Sequence, residues 1–441
     1  MDRRAFARQI IASYRDEIVQ VMTDMIRIPS QNQPPLGYEK AVQEYMATYL
    51  GRAGRPVDLY QPDEVPGLKE HPDFWSGRDY TDRPNLCSIL KGKGGGRSLL
   101  LTGHADTVVL GDTEWSKPPF GAEIHGGRMY GLGAVDMKGQ LAAMVVIFKA
   151  LSEQKAPLRG TLAFESVVDE EEAGVNATIA GRLRYGPMDA AIVPEVSGLD
   201  IYPAIRGALI LNFTFSAQGT WLETGGAGKQ ADAVEQIGLF LAHLDELRAA
   251  RRSQPVPDSY RGYREAGPVT LTKVYAGGWG FKVPIAVPPV GHIQMIVETV
   301  PGEQETDVYR QVEDWLNGVI ERHPAAFAIR PRMEYGLRWM HPTEIDPAHP
   351  LVATLRESVA QVTGRQPTVK GAPYQCDMWA LHRTFNMPAV VFGPAGGNSH
   401  AADEYIELES LFAFAECLAL FILEWCEVED EQVDRSFRPS L

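Results

Sequence analysis

The sequence predicts an α/β protein: an outer domain built on a mixed, largely parallel sheet flanked by helices, interrupted by a smaller α+β domain. Three observations carry that reading. Short apolar runs alternate with segments of helical periodicity between residues 98 and 193, the pattern of parallel strands covered by helices. After Arg206 the strands become longer and partly alternating. From His341 onward the chain returns to α/β character. A middle domain inserted into an outer one is the economical arrangement: 1–206 and 338–441 outer, 207–337 inserted.

The elements follow in order. Phe6, Ile10, Ile11, Tyr14, Ile18, Val21, Met22 and Met25 recur at helical spacing, so residues 4–28 form an amphipathic helix. A second helix spans Tyr38 to Ala53 and stops at Gly54. Residues 61–84, rich in Pro, Asp and Gly, read as a long loop. Strands at Ser98–Thr102, Thr161–Val168 and Ala190–Val193 alternate with helices at Lys138–Leu151 and Glu172–Leu183. In the inserted domain come the strand Ala208–Ser216, a helix at Ala231–Ala249, a strand pair at 269–276 and 290–298, and a helix at Asp307–Arg322. A helix at Leu351–Thr363, a strand at Ala389–Phe392 and a helix at Glu409–Trp425 complete the outer domain.

Composition narrows the partners. Of 441 residues, 42 are Lys or Arg and 57 are Asp or Glu, giving a formal net charge of −15. An acidic surface repels phosphate backbones and anionic bilayers, which argues against nucleic-acid and membrane partners. The longest apolar stretch, Leu411–Leu423, is interrupted by Glu416 and falls short of the roughly 20 residues a span needs. Cys87, Cys376, Cys417 and Cys426 form no CxxC pair, which argues against a disulfide scaffold or a thiolate zinc site and fits a reducing compartment. The N-terminal MDRRAFARQII lacks the apolar core of a signal peptide, so a cytoplasmic location is expected.

Five motifs sit past predicted strand ends, where α/β sheets place ligands. They are Gly103-His104-Ala105-Asp106, Gly131 to Gly139 with Asp136, Asp169-Glu170-Glu171-Glu172, Pro194-Glu195, and Ser399-His400-Ala401-Ala402-Asp403-Glu404. Any one alone reads as a turn or a solvated helix start. The Gly131 run is no dinucleotide fingerprint, because Asp136 stands where the last Gly belongs. Together they offer two His and several carboxylates but no thiolate, a donor set that suits Zn²⁺, with Mn²⁺ or Co²⁺ as alternatives.

On these motifs the chain resembles the dinuclear-zinc peptidase and deacylase family that includes acetylornithine deacetylase, succinyl-diaminopimelate desuccinylase, aminoacylase and glutamate carboxypeptidase. The matching segments are Ile28-Pro29-Ser30, LLLTGHADTV, residues 115–144, VVDEEEAG, IVPE, Pro301-Gly302-Glu303 and FGPAGGNSHAADEYI. The resemblance implies two divalent ions per chain, with Asp136 bridging them, His104 and Glu195 on one, and Glu171 and His400 on the other. It implies Glu170 as general base and then general acid, Asp106 as the partner that orients His104, and a cis peptide after Asp136. It further implies that the outer domain is catalytic, that the inserted domain is a lid through which the chain forms a homodimer, and that the substrate is a small molecule. The expected reaction is hydrolysis of the amide of an N-acyl amino acid or related compound. A dipeptide, an aryl amide or a ring amine is the alternative, and a metal-binding homologue without turnover is disfavoured because Glu170 stands beside every ligand.

Three lid positions depart from the family's pattern. The family's lid His has no counterpart from Ile205 to Phe240, and Glu223 stands at its spacing. Lys282 replaces an Asn before Val283-Pro284, and Glu298 replaces an Arg before the Pro-Gly-Glu turn. Arg206, at the predicted hinge, is retained. Arg206, Lys282, Glu223 and Glu298 are therefore the expected substrate-binding positions. Trp221, Tyr275, Trp279 and Phe281 either line an aromatic pocket or pack the lid core or dimer interface.

Overall fold

The computed structural model describes residues 2–218, 231–279 and 286–429. Glu223, Lys282, Trp221 and Phe281 lie outside the described residues. The chain divides into two compact units. One comprises Met1–Pro203, Ile345–Ala372 and Cys376–Leu441; the other comprises Ala204–Glu344 and Pro373–Gln375.

The larger unit is organised by a mixed sheet whose centre is parallel. Ala389–Val391, Ala191–Val193, Leu99–His104 and Leu162–Val167 lie side by side in that order, all parallel. Asn85–Leu90 and then Asp58–Tyr60 extend the sheet antiparallel on one side. On the other side Tyr202 pairs antiparallel with Val391. The central strands are buried along their length because both faces are covered. Leu99, Leu101, Leu162 and Phe164 are fully buried against the helices Gly139–Glu153, Arg3–Arg27 and Leu408–Trp425. The rings of Phe148 and Phe164 meet at 6.2 Å between centroids.

Several strands escaped the sequence reading. Asp58–Tyr60 and Asn85–Leu90 flank the expected loop, within which only the turn Pro62–Glu64 is helical. Ile201–Ile205 contains Pro203, which ordinarily disqualifies a central strand; here its carbonyl still accepts from the Ile345 amide at 2.9 Å. The acidic run is not a helix start. The helix begins at Asn176, and residues 169–175 form a turn with left-handed backbone at Asp169 (φ +65°) and Ala173 (φ +58°). A small antiparallel sheet of Glu123–His125, Arg128–Tyr130, Tyr405–Glu407 and Gly396–Gly397 places the segment after Gly397 beside the Gly131 turn.

The smaller unit is an antiparallel sheet in the order Val269–Ala276, Val290–Thr299, Gly207–Ser216, Arg332–Tyr335. Alternate residues of Val290–Thr299 (Ile293, Met295, Val297) point into a core with Phe213, Phe215 and Phe240. The helices Ala233–Arg252 and Glu305–Arg322 supply the rest of that core. The first is capped by Asp232, whose side chain accepts from the Val234 amide at 2.7 Å. Among the described residues no helix is long and apolar enough to cross a membrane.

Candidate metal centre

The parallel strands end at one edge, and their last residues and following loops bring the five motifs together. His104 closes the strand Leu99–His104, and Glu195 follows Ala191–Val193 by two residues. Asp136 lies in a tight turn ahead of the helix Gly139–Glu153. Gly133 opens that turn with φ +79°, where an added Cβ would stand 2.6 Å from the Thr107 methyl. The Asp136–Met137 peptide is cis, as the resemblance implied.

Asp136 is the centre of the arrangement. Its Oδ1 lies 3.1 Å from His104 Nε2 and its Oδ2 lies 3.2 Å from His400 Nε2. Glu195 Oε1 stands 3.6 Å from His104 Nε2, and Glu171 Oε2 stands 2.8 Å from His400 Nε2. One ligand atom each of His104, Asp136 and Glu171 falls within 4.8 Å of the others. Glu170 Oε2 is 3.9 Å from His104 Nε2. The structure thus gathers His104, Asp136, Glu170, Glu171, Glu195 and His400, with Asp106 behind His104. Oδ1 of Asp106 is 3.6 Å from His104 Nδ1, and the Asp106 carbonyl is 2.9 Å from the same nitrogen.

The electrostatics of the site match its donor set. Burial pushes Glu195 up to about 8 and Glu171 up to about 7, each reinforced by the charge of Asp136. Burial also lifts Glu170 well above the ordinary carboxylate range, with Asp377, Glu195 and Glu171 adding to it against the opposing pull of His104. Burial works against a charged His400, yet its hydrogen bonds to Asp136 and Glu171 win and raise it to about 11. Asp136 is held below the usual range because the two imidazoles outweigh its burial. Buried carboxylates that crowd one another and two imidazole nitrogens aimed at one carboxylate are what divalent cations require. The residues present fit a metal site.

Two acidic residues were missed in their roles. Glu404, 1% exposed, accepts from the amides of Gly133 (2.7 Å), Val135 (2.8 Å) and Asp136 (3.0 Å), so it pins the turn that carries Asp136. Its place at the end of the Ser399–Glu404 motif was the available signal. Asp377 is buried, accepts from the Thr178 hydroxyl, and is pushed up to about 7 by that burial. No local pattern marks it. Ser399 also donates to Asp136 Oδ2 at 2.6 Å.

In the smaller unit, Arg206 Nη1 meets Glu298 Oε2 at 2.9 Å and the Pro373 carbonyl at 3.0 Å, and Nη2 meets the Glu265 carbonyl at 3.0 Å. Glu298 Oε1 accepts from Gln375 at 2.9 Å. The two expected substrate residues are thus partners of each other. Of the expected lid aromatics, Tyr275 is 62% exposed and Trp279 wholly exposed, so neither packs the core of this unit.

Comparison with known proteins agrees with this geometry. The family model described as Peptidase family M20/M25/M40 matches residues 100–424. The N-formyl-4-amino-5-aminomethyl-2-methylpyrimidine deformylase of Bacillus subtilis (strain 168) is 26% identical over 98% of this chain and 100% of its own. Human carnosine dipeptidase 1 superposes with a TM-score of 0.77 at 16% identity, covering 96% of this chain and 98% of its own. A dinuclear metal binding peptidase of family M20 from Bacillus subtilis gives a TM-score of 0.59 at 17% identity, covering 94% and 99%. The chain belongs to peptidase family M20/M25/M40 and is a metal-dependent amide hydrolase.

Proposed function

We propose that this enzyme removes a small acyl group from an amine through two divalent ions, most simply Zn²⁺. His104 and Glu195 would hold one ion and Glu171 and His400 the other, with Asp136 available to both. The observation that carries this reading is the placement of the two Asp136 oxygens at 3.1 and 3.2 Å from two different imidazoles. When bound, the ions supply Lewis acidity to the scissile carbonyl and to water. Glu170 takes the proton from the attacking water and returns it to the leaving amine. Its burial, which favours the protonated carboxyl, suits the second of those tasks. Asp106 holds His104 with Nε2 turned toward the site.

An N-acyl amino acid is the first substrate class to consider, but a second reading has its own support. Glu298 neutralises Arg206, so that guanidinium is engaged and does not offer an unpaired charge to a substrate carboxylate. The Bacillus subtilis relative is named for an N-formylated aminomethylpyrimidine. Both favour an N-formyl or N-acyl amine on a ring, without a carboxylate at that position. A panel of N-formyl and N-acetyl arylmethylamines, N-acyl amino acids and dipeptides, assayed on metal-replete enzyme, tests this. Preference for the uncharged aryl compounds is expected; preference for N-acyl amino acids would return the first reading. Elemental analysis should find close to two divalent ions per chain, and full activity without metal would sink the mechanism.

Homodimerisation through the smaller unit is part of the proposal. Its support is one edge strand of that sheet, Val269–Ala276, which carries exposed Val274 and Tyr275 and is followed by Trp279. Light scattering on Val274→Lys, expected to shift a dimer to monomer, tests it. Cytoplasmic residence is supported by four cysteines that are all buried thiols.

A further inference from the structure

Behind Asp106 lies a buried polar network whose other members no step of the proposed chemistry uses. The segment Ser30–Asn32 runs beside Ala105–Thr107. Ser30 Oγ donates to the Ala105 carbonyl at 2.7 Å, the Thr107 amide to the Ser30 carbonyl at 3.0 Å, and the Asn32 amide to the Thr107 carbonyl at 2.8 Å. This fixes the backbone of Asn32, whose side chain is fully buried. Its Nδ2 donates to two carboxylates at once: Asp106 Oδ2 at 3.0 Å and Asp169 Oδ1 at 3.1 Å. Its Oδ1 accepts from Arg83 Nη2 at 3.3 Å.

The chemistry of the neighbours dictates that orientation. A flipped amide would aim its oxygen at two carboxylates and its nitrogen at a guanidinium. Arg83 is itself held by Glu39, through Nε at 2.9 Å and Nη2 at 2.6 Å. Asp169 is also fixed from elsewhere, by the Tyr80 hydroxyl at 2.7 Å and by Arg78 at 3.5 Å. Asp106 has fewer restraints. Among the described residues its Oδ2 accepts, apart from Asn32, only the Glu171 amide at 3.0 Å, and its Oδ1 has no hydrogen-bond partner and faces His104 Nδ1.

We infer that Asn32 is a positioning residue for the metal centre: by donating to Asp106 and Asp169 together, it sets the carboxylate that orients His104 and ties it to the turn carrying Glu170 and Glu171. The inference rests on the reading of His104 as a metal ligand. It requires a side chain with two donor hydrogens on one atom and an acceptor beside it. Among residues of this size only Asn provides them.

Asn32→Asp separates this role from bulk electrostatics, because the two predict opposite signs. The substitution keeps the shape and adds a negative charge near the ions, which by Coulomb attraction alone tightens cation binding. If Asn32 positions Asp106, the new carboxylate instead repels the one it should hold, and one ion is released about 10- to 100-fold more readily. The measurement is chelator competition on metal-loaded enzyme, read as affinity for each ion, with circular dichroism confirming the fold. Affinity equal to or tighter than wild type overturns the inference. Should Asn32→Asp not fold, Asn32→Ser keeps one donor and adds no charge, and a several-fold loss for one ion is expected; unchanged affinity again overturns it. His104→Ala, run in parallel, tests the underlying reading: if it retains both ions at wild-type affinity, the ligand assignment itself fails.

Discussion

Buried charge is handled differently in the smaller unit and at the strand ends of the larger one. In the smaller unit Arg206 meets Glu298, and Arg251 meets Glu303 with Nη2 2.9 Å from Oε2. Each buried cation there has its own carboxylate. At the strand ends of the larger unit, Asp136, Glu170, Glu171, Glu195 and Asp377 face two imidazoles and no Arg or Lys among their described ion pairs. Internal pairing builds a scaffold and leaves nothing for a ligand. An unbalanced acidic cluster is costly in an empty fold and serves a cation.

The comparison can be broken most sharply at Glu170. Glu170→Ala should lower turnover by about 100- to 10,000-fold while leaving metal content near wild type, because the residue is assigned to proton transfer rather than to ligation. Near-normal activity on a matched substrate would place the base elsewhere. Next in size is the scaffold pair. Arg206→Ala leaves the half-buried Glu298 without its cation and should cost about 2–3 kcal/mol in denaturant unfolding, whereas replacing both residues by Met should cost less. If the single and double variants are equally unstable, the pair is not what stabilises this region.

A pH series sharpens the contrast from the other side. In metal-free protein, Glu171 and Glu195 carry folded pKa values of about 7 and about 8 against 4.5 unfolded. Between those limits the folded state binds more protons than the unfolded state, so stability falls as pH rises. His400, raised from 6.5 to about 11, adds stability that is full below 6.5 and lost as pH climbs toward 11. Asp136, whose pKa is lowered, contributes fully above 3.8 and does not change in this window. The melting temperature of chelated protein should therefore drop from about pH 5 to about pH 8, and metal-loaded protein should show a smaller drop. Parallel curves would mean that no cation neutralises the cluster. The smallest effect is expected far from any site: Asp232→Ala removes a helix cap in the smaller unit and should cost about 1 kcal/mol without altering metal content.

Much of this organisation is legible in the sequence, for identifiable reasons. The helices Arg3–Arg27 and Glu305–Arg322 bury one face each, so their periodicity is visible. His104, Glu170, Glu171 and Glu195 sit at or just past the ends of apolar strands, so their motifs are local, whereas Asp136 and His400 are placed by turns. Residues that depend on distant partners were opaque. The turn at 169–175 reads as a helix start until Asp169 is seen gripped by Tyr80, Arg83 and Asn32, all remote in sequence. Asp377 is recognised only through Thr178 on another element. The departures at Arg206 and Glu298 were readable as substitutions, but their mutual pairing was a matter of three-dimensional geometry.

The discontinuity of the larger unit has a consequence for how the protein is made. Four of the proposed ligands lie by residue 195, while His400, the interior strand Ala389–Val391 and the buried helix Leu408–Trp425 come only after the smaller unit has been synthesised. A nascent chain that has just exposed Glu195 holds most of an acidic cluster with no closing imidazole, no Glu404 to brace the Asp136 turn, and an open sheet edge at Ala191–Val193. Its larger unit must wait, partly assembled, for its own last stretch, whereas the smaller unit is nearly continuous and can fold as it emerges from the ribosome. On the proposed ligand set, metal acquisition is a late event in the life of each chain, and a truncation anywhere before residue 400 removes His400 along with the end of the fold.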